Sequence, residues 1–237
     1  MLDLRSPDRP LRIGHRGAAA LAPENTIAAL RAAVEHGVDM VEFDVLSLPG
    51  GGLVLAHSTR EAAELPAPFE RGLVELAPHP VALHVDVKGA GFESAIVEAL
   101  RRHRLVDRAV VSSVRSGVLR RFAALEPRLA RALSYPEDRL GISRIPLTAP
   151  LVRGALVAAR QTLPRRIEAM LERAQATAAS LNHVLLTAAT IERCHALGVP
   201  VLAWTVNDPA RAAALAVLGV DGVVTDDPRI FAGTLPT

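Results

Sequence analysis

Two short stretches of the sequence place charged side chains two residues apart, a spacing that suits binding of a metal ion. Glu42 and Asp44 lie in VEFDV, and Asp86 precedes Lys88 by two residues in HVDVK. Side chains two apart on a strand point to the same face, so each pair would share one side of a sheet. Carboxylate oxygens are the ligands that Mg²⁺ and Ca²⁺ prefer. Glu42, Asp44 and Asp86 are therefore candidate ligands of one divalent cation.

Three carboxylates in one pocket require compensating positive charge. Like charges about 4 Å apart repel by roughly 4 kcal/mol at an effective dielectric constant near 20. Arg16 and Lys88, the only lysine of the chain, could neutralise two of the acids in a purely structural ion-pair network at the rim. A divalent cation together with a phosphodiester anion gives a better charge balance, because the metal and both basic side chains then face four negative charges.

Two histidines stand at similar strand ends. His15 follows LRIG and His57 ends LVLAH. An imidazole can take up or release a proton near neutral pH. A single strand histidine is more often structural, but two that share a pocket with three acids, Arg16 and Lys88 argue against a purely structural explanation. His84 shares a face with Asp86, and we interpret it as a hydrogen-bonded core residue in preference to one that tunes Asp86.

The elements that must position these residues follow from the alternation of short apolar runs with longer alanine-rich amphipathic stretches. The runs are LRIG, VDMVEFDV, LVLAH, VALHVDVK, AVVSS, ARALSY, HVLLT, PVLAWTV and DGVVT. Such alternation predicts parallel strands joined by helices. LVLAH follows VEFDV across SLPGGG, which is too short for a crossover helix, so these two runs form a hairpin.

Eight parallel strands then remain. We predict an α/β fold in which residues 1–237 form a single (β/α)₈ TIM barrel with a short β-hairpin arm after the second strand. Active residues of such barrels lie at the C-terminal ends of the strands, where the candidate residues stand.

Local signals add detail to this prediction. The first helix begins after Pro23, and glycine follows a helix in HGVDMVEF, LGVPVLAW and LGVDGVVT, as expected of a left-handed C-cap. We expect residues 58–80 to form a loop with one helical turn and residues 138–182 to hold two helices.

Composition excludes several classes of protein. Half of the 237 residues are hydrophobic, enough for a large core. The formal net charge of +2 and the aromatic content of 3% leave neither a basic surface nor a stacking platform, so we expect no nucleic-acid partner. The start, MLDLRSPDRP, lacks the apolar region of a signal peptide, and no stretch reaches the roughly 18 apolar residues of a spanning helix. We therefore expect a cytoplasmic protein without stable membrane insertion; the oligomeric state stays open.

Seven motifs together resemble a known family. HRG, PENT, VEFDV, AHS, VDVK, LAWTVND and GVDGVVTDDP resemble, in this order and over nearly the whole chain, the signatures of the glycerophosphodiester phosphodiesterases. The resemblance implies a (β/α)₈ barrel that uses a divalent metal, Mg²⁺ or Ca²⁺, to hydrolyse a small phosphodiester substrate to glycerol 3-phosphate and an alcohol.

The same resemblance implies roles for individual residues. The catalytic acid and base are His15 and His57; the metal ligands are Glu42 and Asp44, joined by Asp86; the phosphate is held by Arg16 and Lys88; Trp204 lines the substrate mouth; and Glu24 and Asn25 support the first loop. Which histidine is the acid stays open. So does the choice between water and a neighbouring glycerol hydroxyl as nucleophile.

Three features depart from the family pattern. Asp86 stands where the family has glutamate, Ser58 follows His57 where the family has aspartate, and the family's insertion is reduced to residues 58–80. The Asp-x-Lys form also resembles the phospholipase D-type toxins of the same superfamily. A lysophospholipase D with an apolar lip at ELPAPF is therefore one alternative. A barrel that binds phosphate esters without turnover is another.

Overall fold

The computed structural model describes residues 2–6, 8–64, 67–136 and 149–233, which form a barrel. The strands are β1 (Leu11–Gly14), β2 (Met40–Ser47), β3 (Leu53–Leu55), β4 (Ala67–Pro68), β5 (Ala82–Val87), β6 (Ala109–Ser113), β7 (Ala130–Tyr135), β8 (Ala178–Asn182), β9 (Val201–Trp204) and β10 (Gly222–Thr225). The helices are α1 (Ile27–Glu35), α2 (Thr59–Glu64), α3 (Phe69–Leu76), α4 (Glu93–Arg102), α5 (Ser116–Leu125), α6 (Ala149–Ala174), α7 (Ala188–Ala196) and α8 (Pro209–Leu218). Short 3₁₀ helices lie at Val106–Arg108 and Pro228–Phe231.

The strand order closes the sheet. β1 pairs in parallel with both β2 and β10, and the order between them is β2-β5-β6-β7-β8-β9-β10. β3 pairs antiparallel with β2, with Val45 opposite Leu55, and β4 extends this arm. The predicted barrel of eight parallel strands with a hairpin arm after the second strand is confirmed.

The barrel has an inner and an outer core. The outer core lies between the strands and the helices and contains most of the large buried side chains. The inner core fills the bottom of the barrel with Ile13, Met40 and Leu202 beside small side chains of β7 and β8. Leu4, from the segment before β1, closes the base and is 3% exposed. A packed base leaves the C-terminal ends of the strands as the open end of the barrel.

The helix termini follow the sequence signals. Thr26 caps α1 by accepting a hydrogen bond from the backbone N–H of Ala29. Gly37, Gly198 and Gly219 have φ values of 68°, 75° and 93°, as the predicted left-handed C-caps require.

Two local predictions are wrong. HVLLT is a loop, and the strand is the preceding AASLN of β8. The apolar signal of HVLLT comes from Leu185 and Leu186, which are buried in front of α7. Residues 58–80 contain α2 and α3 instead of one helical turn. Phe69, Leu73 and Leu76 of α3 are buried at helical spacing, a pattern that predicts a helix.

The region 138–182 is described only from residue 149 onward. There it holds one long helix, α6, followed by β8, so two helices are not found over residues 149–182. Residues 138–148 of that prediction lie outside the described residues. None of the described helices is long and apolar enough to cross a membrane.

Candidate active site

Strand register brings the acids together at the open end of the barrel. Asp44 on β2 lies opposite Asp86 on β5, and Glu42 lies opposite His84. One carboxylate oxygen from each of Glu42, Asp44 and Asp86 lies within 4.8 Å of the others. A cavity of about 510 Å³ opens above them and is lined by both candidate histidines, Arg16, Lys88 and Trp204. The structure therefore gathers the residues that the strand-end argument selected.

Asp44 is the most heavily compensated of the three acids. Its Oδ1 lies 2.8 Å from Lys88 Nζ, and its Oδ2 lies 3.1 Å from Arg16 Nε. Asn25 Nδ2 donates to Oδ2 over 2.9 Å, while the backbone N–H of Asp44 donates to Asn25 Oδ1 over 2.9 Å. Burial alone would raise the pKa of Asp44, but Lys88, a hydrogen bond from His57, and Arg16 hold it well below the usual value. This carboxylate is therefore ionised at neutral pH.

Glu42 is buried with much less compensation. Its Oε2 accepts a hydrogen bond of 2.7 Å from the backbone N–H of Arg16. Its ion pair among the described side chains is with His15, whose Nε2 lies 3.9 Å away. Burial and the negative charge of Asp44 raise the pKa of Glu42 to about 7. The ion-pair network of Arg16 and Lys88 thus neutralises Asp44 but leaves Glu42 short of positive charge.

Asp86 is held through both of its oxygens. Ser112 Oγ donates to Oδ1 over 2.6 Å, and Lys88 Nζ contacts Oδ2. Ser112 in turn lies 2.8 Å from His84 Nε2. Burial lowers the pKa of His84 to about 4, so its imidazole is neutral at neutral pH. His84 is a hydrogen-bonded buried residue, as interpreted from the sequence, and it also reaches Asp86 through Ser112.

His15 is oriented by an acid that the sequence analysis did not single out. Its Nδ1 lies 2.6 Å from Asp226 Oδ1, and Asn207 Nδ2 donates to Asp226 Oδ2 over 2.5 Å. Burial lowers the pKa of His15, but the charge of Glu42 and the hydrogen bond to Asp226 outweigh it, so the net shift is upward. Asp226 directly follows β10 in VVTDDP, so the strand-end rule that selected His15 also applies to it.

His57 and Arg16 form a second cluster around Asp44. His57 Nδ1 lies 3.2 Å from Asp44 Oδ2 and 3.1 Å from Arg16 Nη2. Arg16 Nη1 donates to Glu24 Oε2 over 2.6 Å, which ties the guanidinium to the first loop. Burial opposes the charged form, but Asp44 and Glu24 raise the pKa of Arg16 above its ordinary value. The guanidinium is thus a fixed cation at the cavity.

Ser58, one of the departures from the family pattern, belongs to the start of α2. Its Oγ donates to Glu61 Oε1 over 3.3 Å. Glu61 Oε2 also accepts a 2.8 Å hydrogen bond from the backbone N–H of His57. The carboxylate that contacts the His57 ring therefore belongs to Asp44. Ser58, which follows the histidine, carries no carboxylate.

The described part of ELPAPF offers no apolar lip. Phe69 is 1% exposed and packs against Phe43, with ring centroids 6.3 Å apart. Leu65 and Pro66 lie outside the described residues. Of the other described apolar residues of this segment, Ala67 is partly buried and Pro68 is exposed, so a single proline is much less than the apolar patch that a lysophospholipase D acting at a membrane would use.

Comparison with known proteins gives a consistent result. The model of the glycerophosphoryl diester phosphodiesterase family matches residues 15–64 and 75–230. YhdW of Bacillus subtilis, provisionally assigned as a glycerophosphodiester phosphodiesterase, is 27% identical over 91% of this chain and 94% of its own length. A glycerophosphodiester phosphodiesterase of Caldanaerobacter subterraneus is 24% identical over 93% and 96% of the two chains. A solved structure of an Oleispira antarctica phosphodiesterase in complex with its product sn-glycerol-3-phosphate has a TM-score of 0.76 at 22% identity, covering 95% of this chain and 96% of that one.

Proposed function

This chain belongs to the glycerophosphoryl diester phosphodiesterase family, and we propose that it hydrolyses glycerophosphodiesters to glycerol 3-phosphate and an alcohol. The observation that carries the proposal is the meeting of Glu42, Asp44 and Asp86 within 4.8 Å at a cavity that His15 and His57 also line. The product bound to the Oleispira phosphodiesterase supports the same substrate class.

The acids fit a divalent cation. Oxygens that bind one Mg²⁺ or Ca²⁺ ion at about 2.0 to 2.6 Å lie no more than about 4 to 5 Å apart, which matches the separation of the three carboxylates. The under-compensated, buried Glu42 is the second sign, because its charged form needs an added positive charge. When bound, such a cation would stabilise negative charge on the nonbridging phosphate oxygens.

Arg16 and Lys88 would bind the phosphate from the same side of the cavity. Both line the cavity while contacting Asp44, so their positions are fixed before a substrate arrives. A side chain that is already held in place loses little conformational freedom when the phosphate binds. Because the site is partly shielded from water, its positive charge attracts the phosphate more strongly than it would in bulk solvent. Their proposed role is to hold the diester with its phosphorus near the imidazoles.

His15 and His57 would move the protons. Each has its Nδ1 within 3.2 Å of a carboxylate, Asp226 or Asp44, so its Nε2 is the atom left to exchange a proton with the reactants. One neutral imidazole would remove the proton of the nucleophile, and the other, protonated, would give a proton to the departing alcohol. The nucleophile in this scheme is water or the glycerol hydroxyl next to the phosphate.

The direct test is release of glycerol 3-phosphate from glycerophosphocholine, glycerophosphoethanolamine and glycerophosphoglycerol, before and after chelation by EDTA. We expect release that EDTA abolishes and that added Mg²⁺ or Ca²⁺ restores. Glu42→Gln should remove it while the protein stays folded. Glu93→Gln, which changes another buried glutamate outside the cavity, is the matched control and should keep wild-type activity.

Other outcomes separate the alternatives. Activity that EDTA and Glu42→Gln both leave intact would overturn the metal assignment. Release of choline from lysophosphatidylcholine, with none from the glycerophosphodiesters, would indicate a lysophospholipase D. Binding of phosphate esters with no turnover of any substrate would indicate a non-catalytic barrel.

A further inference from the structure

His84 lies at the boundary between the inner core and the acids. On β5 it shares a face with Asp86, which stands two residues further on. Its register neighbour on β2 is Glu42 of the acid cluster, and its register neighbour on β6 is Val110 of the inner core. The histidine is 2% exposed. Burying an imidazole costs free energy that an apolar side chain would not, so packing alone does not account for a histidine here.

A chain of two hydrogen bonds leads from this ring to Asp86. His84 Nε2 lies 2.8 Å from Ser112 Oγ, which in turn lies 2.6 Å from Asp86 Oδ1. Ser112 is 1% exposed and is the register neighbour of Asp86 on β6, so strand pairing sets the geometry of the chain. His84 Nδ1 makes no hydrogen bond within the described part of the protein. The polar contact of the ring is therefore directed at Ser112.

The direction of each hydrogen bond follows from the chemistry of the groups. The carboxylate of Asp86, paired with Lys88, can only accept, so the single proton of the Ser112 hydroxyl goes to Oδ1. The hydroxyl then offers only lone pairs to His84, so the imidazole must donate through Nε2–H. A neutral imidazole carries one N–H, which leaves Nδ1 without a proton. Both hydrogen bonds thus run from His84 towards Asp86.

The ordered chain holds the Asp86 carboxylate in place. Lys88 Nζ contacts Oδ2 and Ser112 Oγ donates to Oδ1, so each oxygen is held by one donor and keeps a lone pair for a cation. Without the N–H of His84, the Ser112 hydroxyl would be free to rotate away from Oδ1. Aspartate keeps its carboxylate within reach of β6, whereas the glutamate that the family has at this position would carry it about 1.5 Å farther out. The hydrogen-bond chain therefore suits the shorter acid.

We propose that His84 is a positioning residue of the candidate cation site. Its Nε2–H keeps the Ser112 hydroxyl in the orientation that donates to Asp86. The Asp86 carboxylate is thereby held with one oxygen within 4.8 Å of oxygens of Glu42 and Asp44. This role rests on the proposed function in one respect, because it takes these three acids as the ligands of one cation. It gives the ring a polar task that an apolar side chain of similar volume cannot perform.

The first experiment examines the hydrogen-bond chain without metal or substrate. NMR of the imidazole nitrogens in the chelator-treated protein distinguishes a ring protonated on Nε2 from one protonated on Nδ1. Loss of the signal in His84→Gln assigns it to His84. We expect the form protonated on Nε2. A ring protonated on Nδ1 would overturn the chain, because its Nε2 could not donate to Ser112.

The second experiment measures cation affinity by calorimetric titration of Mg²⁺ and Ca²⁺. His84→Met removes the N–H but keeps a similar volume, and we expect it to weaken binding by about 10-fold. His84→Gln places an amide N–H near the position of Nε2, so binding should stay within about twofold of the wild type. In the Ser112→Ala background, His84→Met should cause no further loss, because the hydroxyl that the ring orients is gone.

Two controls separate positioning from packing. Val110 is fully buried beside His84, so Val110→Ala should lower the melting temperature but bind the cation as the wild type does. Ser113→Ala is the matched control for Ser112→Ala. Ser113 is buried on β6 but donates to the backbone carbonyl of Val87 and does not line the cavity, so its loss should leave cation affinity unchanged. If His84→Met does not fold, His84→Asn replaces it, since the shorter amide cannot reach Ser112.

The outcomes distinguish this role from the proposed function. A cation affinity that His84→Met leaves unchanged, or a loss that His84→Gln shares in full, would overturn the positioning role while the cation site stands. Additive losses in His84→Met and Ser112→Ala would also overturn it, because the two residues would then act independently. A wild type that binds no cation would overturn the cation site and this role together, whereas the protonation of His84 seen by NMR would still hold.

Discussion

The contacts of individual side chains divide the site into two oriented imidazoles, which we propose to be the proton-transfer pair, and a cluster of acids. His15 is held on Asp226, which in turn is held by Asn207, and His57 is held on Asp44. Each imidazole is thus fixed through its Nδ1 atom. For His15, the carboxylate of Asp226 selects the tautomer with the proton on Nδ1 and leaves Nε2 free for chemistry. The Nδ1 atom of His57 contacts both Asp44 and the Arg16 guanidinium, which orients the ring and also leaves Nε2 free.

Asp226→Asn tests this positioning. The amide cannot accept the His15 N–H as a charged partner, so the ring loses its orientation and the stabilisation of its protonated form. We expect kcat for glycerol 3-phosphate release to fall by about 100-fold. Asp227→Asn, at the neighbouring residue that caps the following 3₁₀ helix, should stay within about twofold. Equal kcat values for both variants would contradict the role of Asp226.

Ser112→Ala tests whether the hydrogen bond from Ser112 positions Asp86, the aspartate that stands where the family has glutamate. The variant removes the hydrogen bond to Asp86 Oδ1 and the link to His84. Because partners of metal ligands orient them, we expect the affinity for Mg²⁺ or Ca²⁺ to fall by about 10- to 100-fold in calorimetry. Ser113→Ala should bind the cation as the wild type does. An unchanged affinity in Ser112→Ala would show that Asp86 needs no support from β6.

Sequence reasoning found the acids, both histidines, Arg16 and Lys88, because each stands at a strand end where its chemical type is unusual. It did not single out Asp226, Asn207 or Ser112. Asp226 and Asn207 meet His15 only because β10 closes onto β1, and that contact depends on the three-dimensional closure of the barrel. Serine at a strand end is too common to stand out.

At the scale of elements, the turn between β1 and α1 holds the site together. The backbone N–H groups of Arg16 and Gly17 donate to the side chain and the backbone carbonyl of Glu42, respectively. Gly17 has a φ of 85° and packs against α1, where a Cβ atom would lie 2.4 Å from the backbone carbon of Ala29. Only glycine allows this close approach of the two backbones. In the HRG motif, the glycine is therefore required for packing, whereas the histidine and arginine line the cavity.

Gly17→Ala should therefore destabilise the protein strongly. The clash involves backbone of α1 that cannot rotate away, and the positive φ adds strain. We expect the free energy of unfolding in urea to fall by about 3 kcal/mol or more. Gly37→Ala is the matched control, since Gly37 has a φ of 68° with open space around its Cα, and it should cost only about 1 kcal/mol. If both variants lost the same free energy of unfolding, the turn between β1 and α1 would have shifted to accommodate the added methyl group, and the proposed clash would be wrong.

Elements were predicted well where two signals agreed. The hairpin and the glycine-terminated helices combine hydrophobic pattern with turn chemistry, and both are confirmed. The prediction failed at HVLLT because Leu185 and Leu186 imitate a strand while packing ahead of α7. It also failed at α3, although Phe69, Leu73 and Leu76 stand at helical spacing there.

The whole molecule is an asymmetric barrel. One side presents acids and fixed cations to the cavity, and the other presents serines backed by alanines. A charged side suits a phosphate and a cation, and a small polar side leaves room for the organic part of a diester. The number of predicted strands was enough to predict the barrel fold from the sequence. The asymmetry of the cavity could not be predicted in this way, because it depends on the register between neighbouring strands in the closed sheet.

The central claim is that Glu42, Asp44 and Asp86 together hold one divalent cation. Calorimetric titration of Mg²⁺ and Ca²⁺ into the chelator-treated protein tests it directly, with melting temperatures recorded in parallel. We expect one site in the wild type, a rise in melting temperature with added cation, and loss of both in Glu42→Gln but not in Glu93→Gln. Titrations that show no binding, or the same binding in wild type and Glu42→Gln, would contradict it.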